Sequence, residues 1–521
     1  MLFFCLQVLV LSIGCESANV LYIVPFTAKS HYLMLRPIGL ELARRGHNVT
    51  VITSHKEAQP PSNYHQVLVD DKVWDAMQSK RPRGFSAVDL SAEERHDRFL
   101  WNGGLTLSEI VLNSTQVQDF LATDQMFDVV ISEQIFHEAL YILAHKYEAP
   151  LVLVTPYGNC MRHNIATRNP LQLSKVVSEF LVVQDPASFL GRLRNLYFTA
   201  YEYFWWKYWY LPKMDDLARR YVPHLKEPVP SLYDIQKNVS LILINSHFSF
   251  DPPTAYLPNI VEIGGVHLAS HTPKLPQDLQ TLLDEATNGV VYMSFGSNLR
   301  SSTLPDEKKD AFLNVFRRLK QTVLWKWEDD RLDNKSSNVV VRKWLPQNEV
   351  LAHPNVKLFI THGGLLGIQE AIYHGVPVVG VPIYGDQYNN LLQMQQAGLG
   401  RVLQFYDLNE HSLEEMLNLV LSDESFKVKA KEISARFRDR PMTALETAVY
   451  WIEYVVRYKG ARHVKNPGLD MTWIAYHMLD VYAFVLLMIV TFVLLVTKII
   501  KVISRFVEPR KNYRNGKLKL N

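Results

Sequence analysis

Between Lys343 and Gln387 the chain places polar residues at the ends of apolar runs, in a fixed order. They are Trp344 and Gln347 in "KWLPQ", His362, Gly363 and Gly364 in "THGG", Glu370 after Gln369, and the pair Asp386-Gln387. Together these residue types could hold a nucleotide carrying a sugar. An indole can stack on a base, and a neighbouring amide, with both a donor and an acceptor, can read its edge. A helix opening after Gly364 offers free N–H groups and a positive dipole end to a diphosphate, and glycines let the backbone come close. Glu370 on that helix could take two ribose hydroxyls, and Asp386 with Gln387 could hold hydroxyls of a sugar beyond the phosphates. Singly, each residue also reads as ordinary structure: a Trp beside Pro as core, Gly-Gly as a turn, Gly375 and Pro377 as helix-stop signals. The ordered set is what carries information.

Other nucleotide motifs are missing. No G-x-G-x-x-G follows the first strand-like run and no G-x-x-x-x-G-K-S/T occurs, so dinucleotide and P-loop ATP sites lose their main support. There is no D-x-D pair to carry a metal–diphosphate bridge. With 55 Lys and Arg against 52 Asp and Glu, the net charge of +3 points to no nucleic-acid partner.

The elements that must position these residues read as an α/β chain of 521 residues, too long for one ordinary core. "NVLYIVPF", a helix-like "LMLRPIGLELARRG" ended by Gly46, and "NVTVIT" open it. "FDVVIS" and "PLVLVTP" repeat the strand pattern, with a helix-like "HEALYILAHKYE" between them. The segment Tyr197 to Tyr210 is mostly aromatic, as at an apolar pocket, an interface or a packed helix. After a proline-marked linker near "HTPKLPQD" a second series begins: "GVVYMSFGS", a helix over Glu307 to Lys320, "TVLWKW", "NVVVRKW", "VKLFITH" and "GVPVVGVP". Two Rossmann-like halves should face a cleft with the carboxyl ends of their strands.

Both termini carry membrane signals. Leu2 to Ile13 is apolar and "GCESA" follows, as in a secretory signal cleaved near Ser17. Val481 to Thr497 contains no charge, and flanks from about Leu479 to Ile500 complete a span. From Lys498 onward there are eight Lys or Arg and one acid, Glu508, which places the tail in the cytoplasm and the bulk of the chain in the lumen. The terminal "KLKLN" is similar to a dilysine retrieval address of the endoplasmic reticulum. Of Cys5, Cys15 and Cys160 only Cys160 outlasts signal cleavage, so the mature chain forms no internal disulfide. Sequons stand at Asn48, Asn113, Asn238 and Asn334, of which Asn48, opening a strand, is expected to be too buried for glycosylation.

The run from Trp344 through "THGGLLGIQEAIYHGVPVVGVPIYGDQ" resembles the signature of the UDP-glycosyltransferase family, which includes the microsomal UDP-glucuronosyltransferases. "AKSH…RGHNVT", "GVVYMSFGS" and the C-terminal span extend the likeness to nearly the whole chain, with the arthropod members nearest in detail. The resemblance implies a GT-B fold, two Rossmann-like domains facing a cleft, and an inverting transfer from UDP-sugar that uses no metal and no bound cofactor. It assigns Trp344 and Gln347 to uracil, Glu370 to ribose, His362 and the following turn to phosphate, and Asp386 and Gln387 to the sugar. Ser294, Gly364 and Gly367 complete its donor-binding set. Where many members have Asn, this chain has Leu366, so backbone N–H groups must serve there.

A hydroxyl attacks an anomeric carbon poorly without a base. His31, between the first strand and helix, should sit at the cleft, where a helix N-terminus disfavours an added positive charge. The family's base is this "SH" histidine. Its orienting carboxylate follows "FDVV", where most mammalian members have Asp and this chain has Glu133. Donor choice turns on charge. In glucuronate-using relatives an Arg precedes an Asn-Ser pair, but in "LILINSHFSF" that residue is Ile244, with His247 the only cation candidate nearby. An unpaired sugar carboxylate would be costly there, so UDP-glucose is expected over UDP-glucuronate.

The sequence therefore predicts a signal at 1–17, an acceptor-binding domain at 18–270, a linker at 271–278 and a UDP-sugar-binding domain at 279–440. Helices at 441–478, a transmembrane helix at 479–500 and a basic tail at 501–521 follow. The expected protein is a single-pass, type I glycosyltransferase of the endoplasmic reticulum membrane that conjugates small lipophilic hydroxylated acceptors. UDP-glucuronate as donor, or a non-catalytic carrier of apolar ligands on the same scaffold, are the alternatives. Oligomeric state is not written in these residues.

Overall fold

The computed structural model describes residues 17–80, 84–183, 185–269 and 272–515, without the side chains of 78–80 and 507–515. The expected signal, but for Ser17, and the "KLKLN" tail lie outside the described residues. The chain forms two compact units, one ending at Lys465 and one starting at Asn466.

The first unit contains two parallel sheets. One has seven strands in the order β3-β2-β1-β4-β5-β6-β7. These are β1 Asn19–Val24, β2 Asn48–Thr53, β3 Tyr64–Leu68, β4 Val129–Glu133, β5 Leu151–Val154, β6 Leu241–Ile244 and β7 Ile260–Glu262. The other has six, in the order β10-β9-β8-β11-β12-β13. They are β8 Val290–Ser294, β9 Thr322–Lys326, β10 Val339–Arg342, β11 Val356–Thr361, β12 Val378–Gly380 and β13 Gly400–Val402. Helices cover both faces of a parallel sheet, which is why β1, β4, β8 and β11 are almost continuous apolar runs, buried along nearly their whole length.

Strand order locates the chemistry. In each sheet the order in which strands are added reverses beside the first strand, between β1 and β4 in one and between β8 and β11 in the other. At such a point the loops leaving the carboxyl ends part in opposite directions and leave a crevice. The helix Lys29–Arg44, bearing His31, leaves β1, and Glu133 ends β4. Ser294 ends β8, and His362 follows β11.

Long-range contacts fasten the halves together. Phe85, from the segment after β3, is buried in the core of the second sheet and stacks on Phe405 with ring centroids 5.3 Å apart. The amide of Asn389 donates to the carbonyls of Ser178, Glu179 and Leu181. The helix Ala444–Arg457 returns to pack on the first sheet and on the helix Lys29–Arg44, and its Glu453 faces Arg45 and His47 at 3.3 and 3.4 Å.

The aromatic run divides in two. Trp206 and Tyr210, on a π-helical turn, are buried, whereas Phe204, Trp205 and Tyr208 are exposed. Asn48 corrects the expectation of burial: as the first residue of β2 it is exposed and the five after it are buried. Asn113, Asn238 and Asn334 are exposed as well. Cys160 is free and buried. In the second unit one helix, Leu479–Asn515, contains the stretch Leu479–Phe506, long and apolar enough to cross a membrane. Its 28 residues rise about 42 Å at ~1.5 Å each, more than the ~30 Å of a hydrocarbon core.

Candidate active site

A single cavity of about 1090 Å³ runs between the two sheets. Ten of the eleven residues singled out from sequence line it: His31, Ser294, Trp344, Gln347, His362, Gly364, Gly367, Glu370, Asp386 and Gln387. Glu133 stands behind His31, fully buried.

His31 Nδ1 lies 2.6 Å from Glu133 Oε1. Adjacent strands set this pair, since Ile23 of β1 is in register with Ser132 of β4, one residue before Glu133. The extra methylene of Glu, relative to Asp, is absorbed without losing contact. The contact fixes the tautomer: Nδ1–H donates to the carboxylate, which leaves the Nε2 lone pair free to accept a proton. Glu133 Oε2 has no hydrogen-bond partner among the described residues. The Phe26 ring packs 4.8 Å from the imidazole.

The opposite wall is built on the second sheet. His362 is wedged between two glycines: a Cβ on Gly296 would lie 2.7 Å from its Cε1, and one on Gly364 would lie 2.8 Å from its Nε2. Burial, with the nearby Lys326 ammonium, pushes this imidazole down to about 4, so it is neutral at pH 7. The helix Leu365–His374 starts at Gly364 with no side-chain cap, so its first N–H groups are open to a ligand.

Gln347 donates to Glu370 at 2.5 Å and accepts from the Tyr292 hydroxyl at 3.1 Å. Gly367 leaves it room, since a Cβ there would be 3.1 Å from Gln347 Nε2. Burial pushes the Glu370 carboxyl up to about 7. Trp344 is half-exposed, and Lys29, from the opposite half, sets its ammonium 3.6 Å above the indole.

Asp386 accepts from Asn390 at 2.9 Å, and Asn390 also donates to the Gly363 carbonyl at 3.0 Å. Burial raises the Asp386 carboxyl. Gln387 turns its carbonyl inward, accepting from the Ile383 and Tyr384 N–H groups at 2.9 and 3.0 Å. Its oxygen therefore braces the loop carrying Asp386. Leu366 also lines the cavity.

Several neighbours carry no local sequence signal for a site role: Lys29, Tyr292, Lys326 and Asn390. Only their proximity to the residues above reveals them. Ile244 is fully buried in the core of the first sheet. His247 is no candidate for a sugar carboxylate. It is sandwiched between Phe248 and Phe437, burial pushes it down to about 4, and it does not line the cavity. Among the described residues no group of three His, Cys, Asp or Glu side chains is placed to hold a metal ion.

Comparison with known proteins agrees with this arrangement. Residues 19–513 match the family described as UDP-glucoronosyl and UDP-glucosyl transferase. The chain is 35% identical over 501 residues to UDP-glycosyltransferase UGT5 of Dactylopius coccus, covering 94% of this chain and 93% of that one. It is 30% identical over 506 residues to UDP-glucuronosyltransferase 2B19 of Macaca fascicularis, covering 93% of both. Among solved structures it is similar to a UDP-glucose: anthocyanidin 3-O-glucosyltransferase in complex with UDP. There the TM-score is 0.55 and identity 16%, over 85% of this chain and 100% of that one. The glycotransferase of kitacinnamycin gives a TM-score of 0.57 at 17% identity, over 84% and 99%. The two facing parallel sheets are thus the GT-B fold, and the chain belongs to the UDP-glucuronosyl and UDP-glucosyl transferases, a family of glycosyltransferases.

Proposed function

We propose that the protein transfers glucose from UDP-glucose to a hydroxyl of small lipophilic acceptors, with inversion at the anomeric carbon. The observation that carries this reading is the 2.6 Å His31–Glu133 pair, set in the same cavity as the whole donor-side set. His31 Nε2 takes the acceptor proton as the acceptor oxygen bonds to the anomeric carbon. The bond from that carbon to the β-phosphate oxygen breaks, and UDP leaves with the electron pair. Glu133 holds the imidazole in the correct tautomer and stabilises the imidazolium that forms. Trp344 stacks on uracil, Gln347 reads its edge and Glu370 takes the ribose hydroxyls. His362 and the start of its helix receive the diphosphate, with Ser294, Gly364 and Gly367 shaping the path, and Asp386 orients the sugar with Gln387 bracing its loop.

Acceptors meet apolar surface, because Phe26, Leu33, Phe99, Leu100, Leu107 and Phe136 line the same cavity. Glucose is favoured because Ile244 is core and His247 is neutral and turned away. In addition, three of the four Lys or Arg side chains that line the cavity among the described residues, Arg36, Arg300 and Lys326, are each paired with a carboxylate of the chain. The domain boundaries at 270, 279 and 440, and residence as a type I protein of the endoplasmic reticulum facing the lumen, belong to the same reading. The donor is tested by giving equal concentrations of UDP-glucose and UDP-glucuronate with one phenol to membranes expressing the chain. Glucoside is the expected main product; a predominance of glucuronide would overturn the donor assignment.

A further inference from the structure

Among the described residues four Lys or Arg side chains line the cavity, and three carry their own counter-ion. Arg36 is bidentate on Glu57, Arg300 lies 2.8 Å from Asp329, and Lys326 lies 2.6 Å from Glu328. Arg95 is the exception. It makes no ion pair among the described residues, and its Nε is buried without a hydrogen-bond partner.

The acids around it are already engaged. Glu93 is held by Arg194 at 2.7 Å, Glu94 caps the Ser91 N–H at 2.9 Å, and Asp89 accepts from the Tyr406 hydroxyl at 2.7 Å. Burial lowers the affinity of Arg95 for its proton, more than the nearby Glu93 carboxylate, itself held by Arg194, offsets. Holding such a group half-buried is costly unless something pairs with it, and its planar fork of donors matches a carboxylate. Ser297, whose hydroxyl is also buried and unpartnered, lines the same cavity.

We infer that Arg95 is a carboxylate-binding point for the acceptor, so that the protein favours hydroxylated aromatic acids over neutral phenols of equal size. The inference rests on the transferase reading above and names its acceptor class. Arg95 is assigned to the acceptor because its own segment continues into the apolar wall, through Phe99 and Leu100 to Leu107. Of the two sources of a carboxylate, acceptor and glucuronate sugar, the acceptor is therefore the one Arg95 meets. The hydroxyl goes to His31 and the carboxylate to Arg95, which fixes which oxygen of a bifunctional acceptor is glycosylated.

The test compares a hydroxybiphenyl with the same molecule bearing a carboxylate on its second ring, using the full chain in membranes with UDP-glucose. The wild-type protein should prefer the acid in kcat/KM. In Arg95→Met, which keeps the stem and removes the charge, the acid-to-neutral ratio should fall about tenfold or more, and Arg95→Lys should restore part of it. Dissociation constants for both compounds in the presence of UDP should change in the same ratio, a readout independent of turnover. If both acceptors lose equally, or the ratio does not move, Arg95 is structural and the inference fails while the transferase reading stands. A loss confined to UDP-glucuronate as donor would overturn it in favour of the sugar. Wild-type protein that binds the acid selectively yet transfers nothing would contradict the transferase reading and leave the carboxylate site intact.

Discussion

Glu370 illustrates how burial sets the behaviour of one residue. Its carboxyl is pushed up to about 7 by loss of water, more than the Gln347 donor at 2.5 Å offsets. Ribose hydroxyls donate hydrogen bonds, so they favour the charged carboxylate, and binding below that pKa must first expel a proton. UDP affinity should therefore rise with pH through about 7 and level off above it, with about tenfold between pH ~6 and pH ~8. Calorimetric titration with UDP checks this, and Glu370→Gln should remove that part of the pH dependence while UDP's own phosphate ionisation remains. At this scale the sequence was informative: His31, Trp344 and Asp386 were legible as candidates because the loops after strands are where an α/β protein exposes polar groups, and Glu370 because it is a carboxylate on the helix that follows such a loop. What each one touches was not legible. Nothing in "GDQ" says that the Gln387 oxygen binds the backbone of its own loop, and nothing in "EERH" says that Arg95 has no ion-pair partner among the described residues.

At the scale of elements, the long strands could be read because burial on both faces demands continuous apolar runs. The three-residue edge strands β7 and β13 could not, since "IVE" and "GRV" occur in any loop. The turns after β8 and β11 depend on each other. Gly296 has φ +77, and its missing side chain leaves the space that His362 fills. Gly296→Ala should both strain the backbone and displace His362, costing about 1–3 kcal/mol of stability and at least tenfold in UDP affinity. Gly46→Ala is the matched control. Its φ is +95 but nothing lies within 4 Å of the added carbon, so it should lower the melting temperature and spare UDP binding. Equal UDP affinity in the two variants would mean that the His362 wedge is irrelevant to the donor.

For the whole molecule, the sequence conveys two Rossmann-like halves but not how they are fastened. Phe85, Asn389 and Glu453 each meet partners far away in the chain, and such contacts leave no periodic mark. The proposed arrangement of the chain about a membrane rests on charge and length: an apolar helix from Leu479 to Phe506 and a basic segment after Lys498. In sealed microsomes, added protease should trim only the tail and leave the two-sheet unit intact and glycosylated; digestion of that unit would reverse the orientation. In the proposed mechanism one cavity binds the UDP-sugar and His31 there removes the acceptor proton. His31→Ala, assayed with UDP-glucose and a phenol alongside a UDP titration, tests it most directly. The expected result is a kcat lower by about 10²-fold or more with the UDP dissociation constant nearly unchanged. Near-normal turnover in that variant would contradict it.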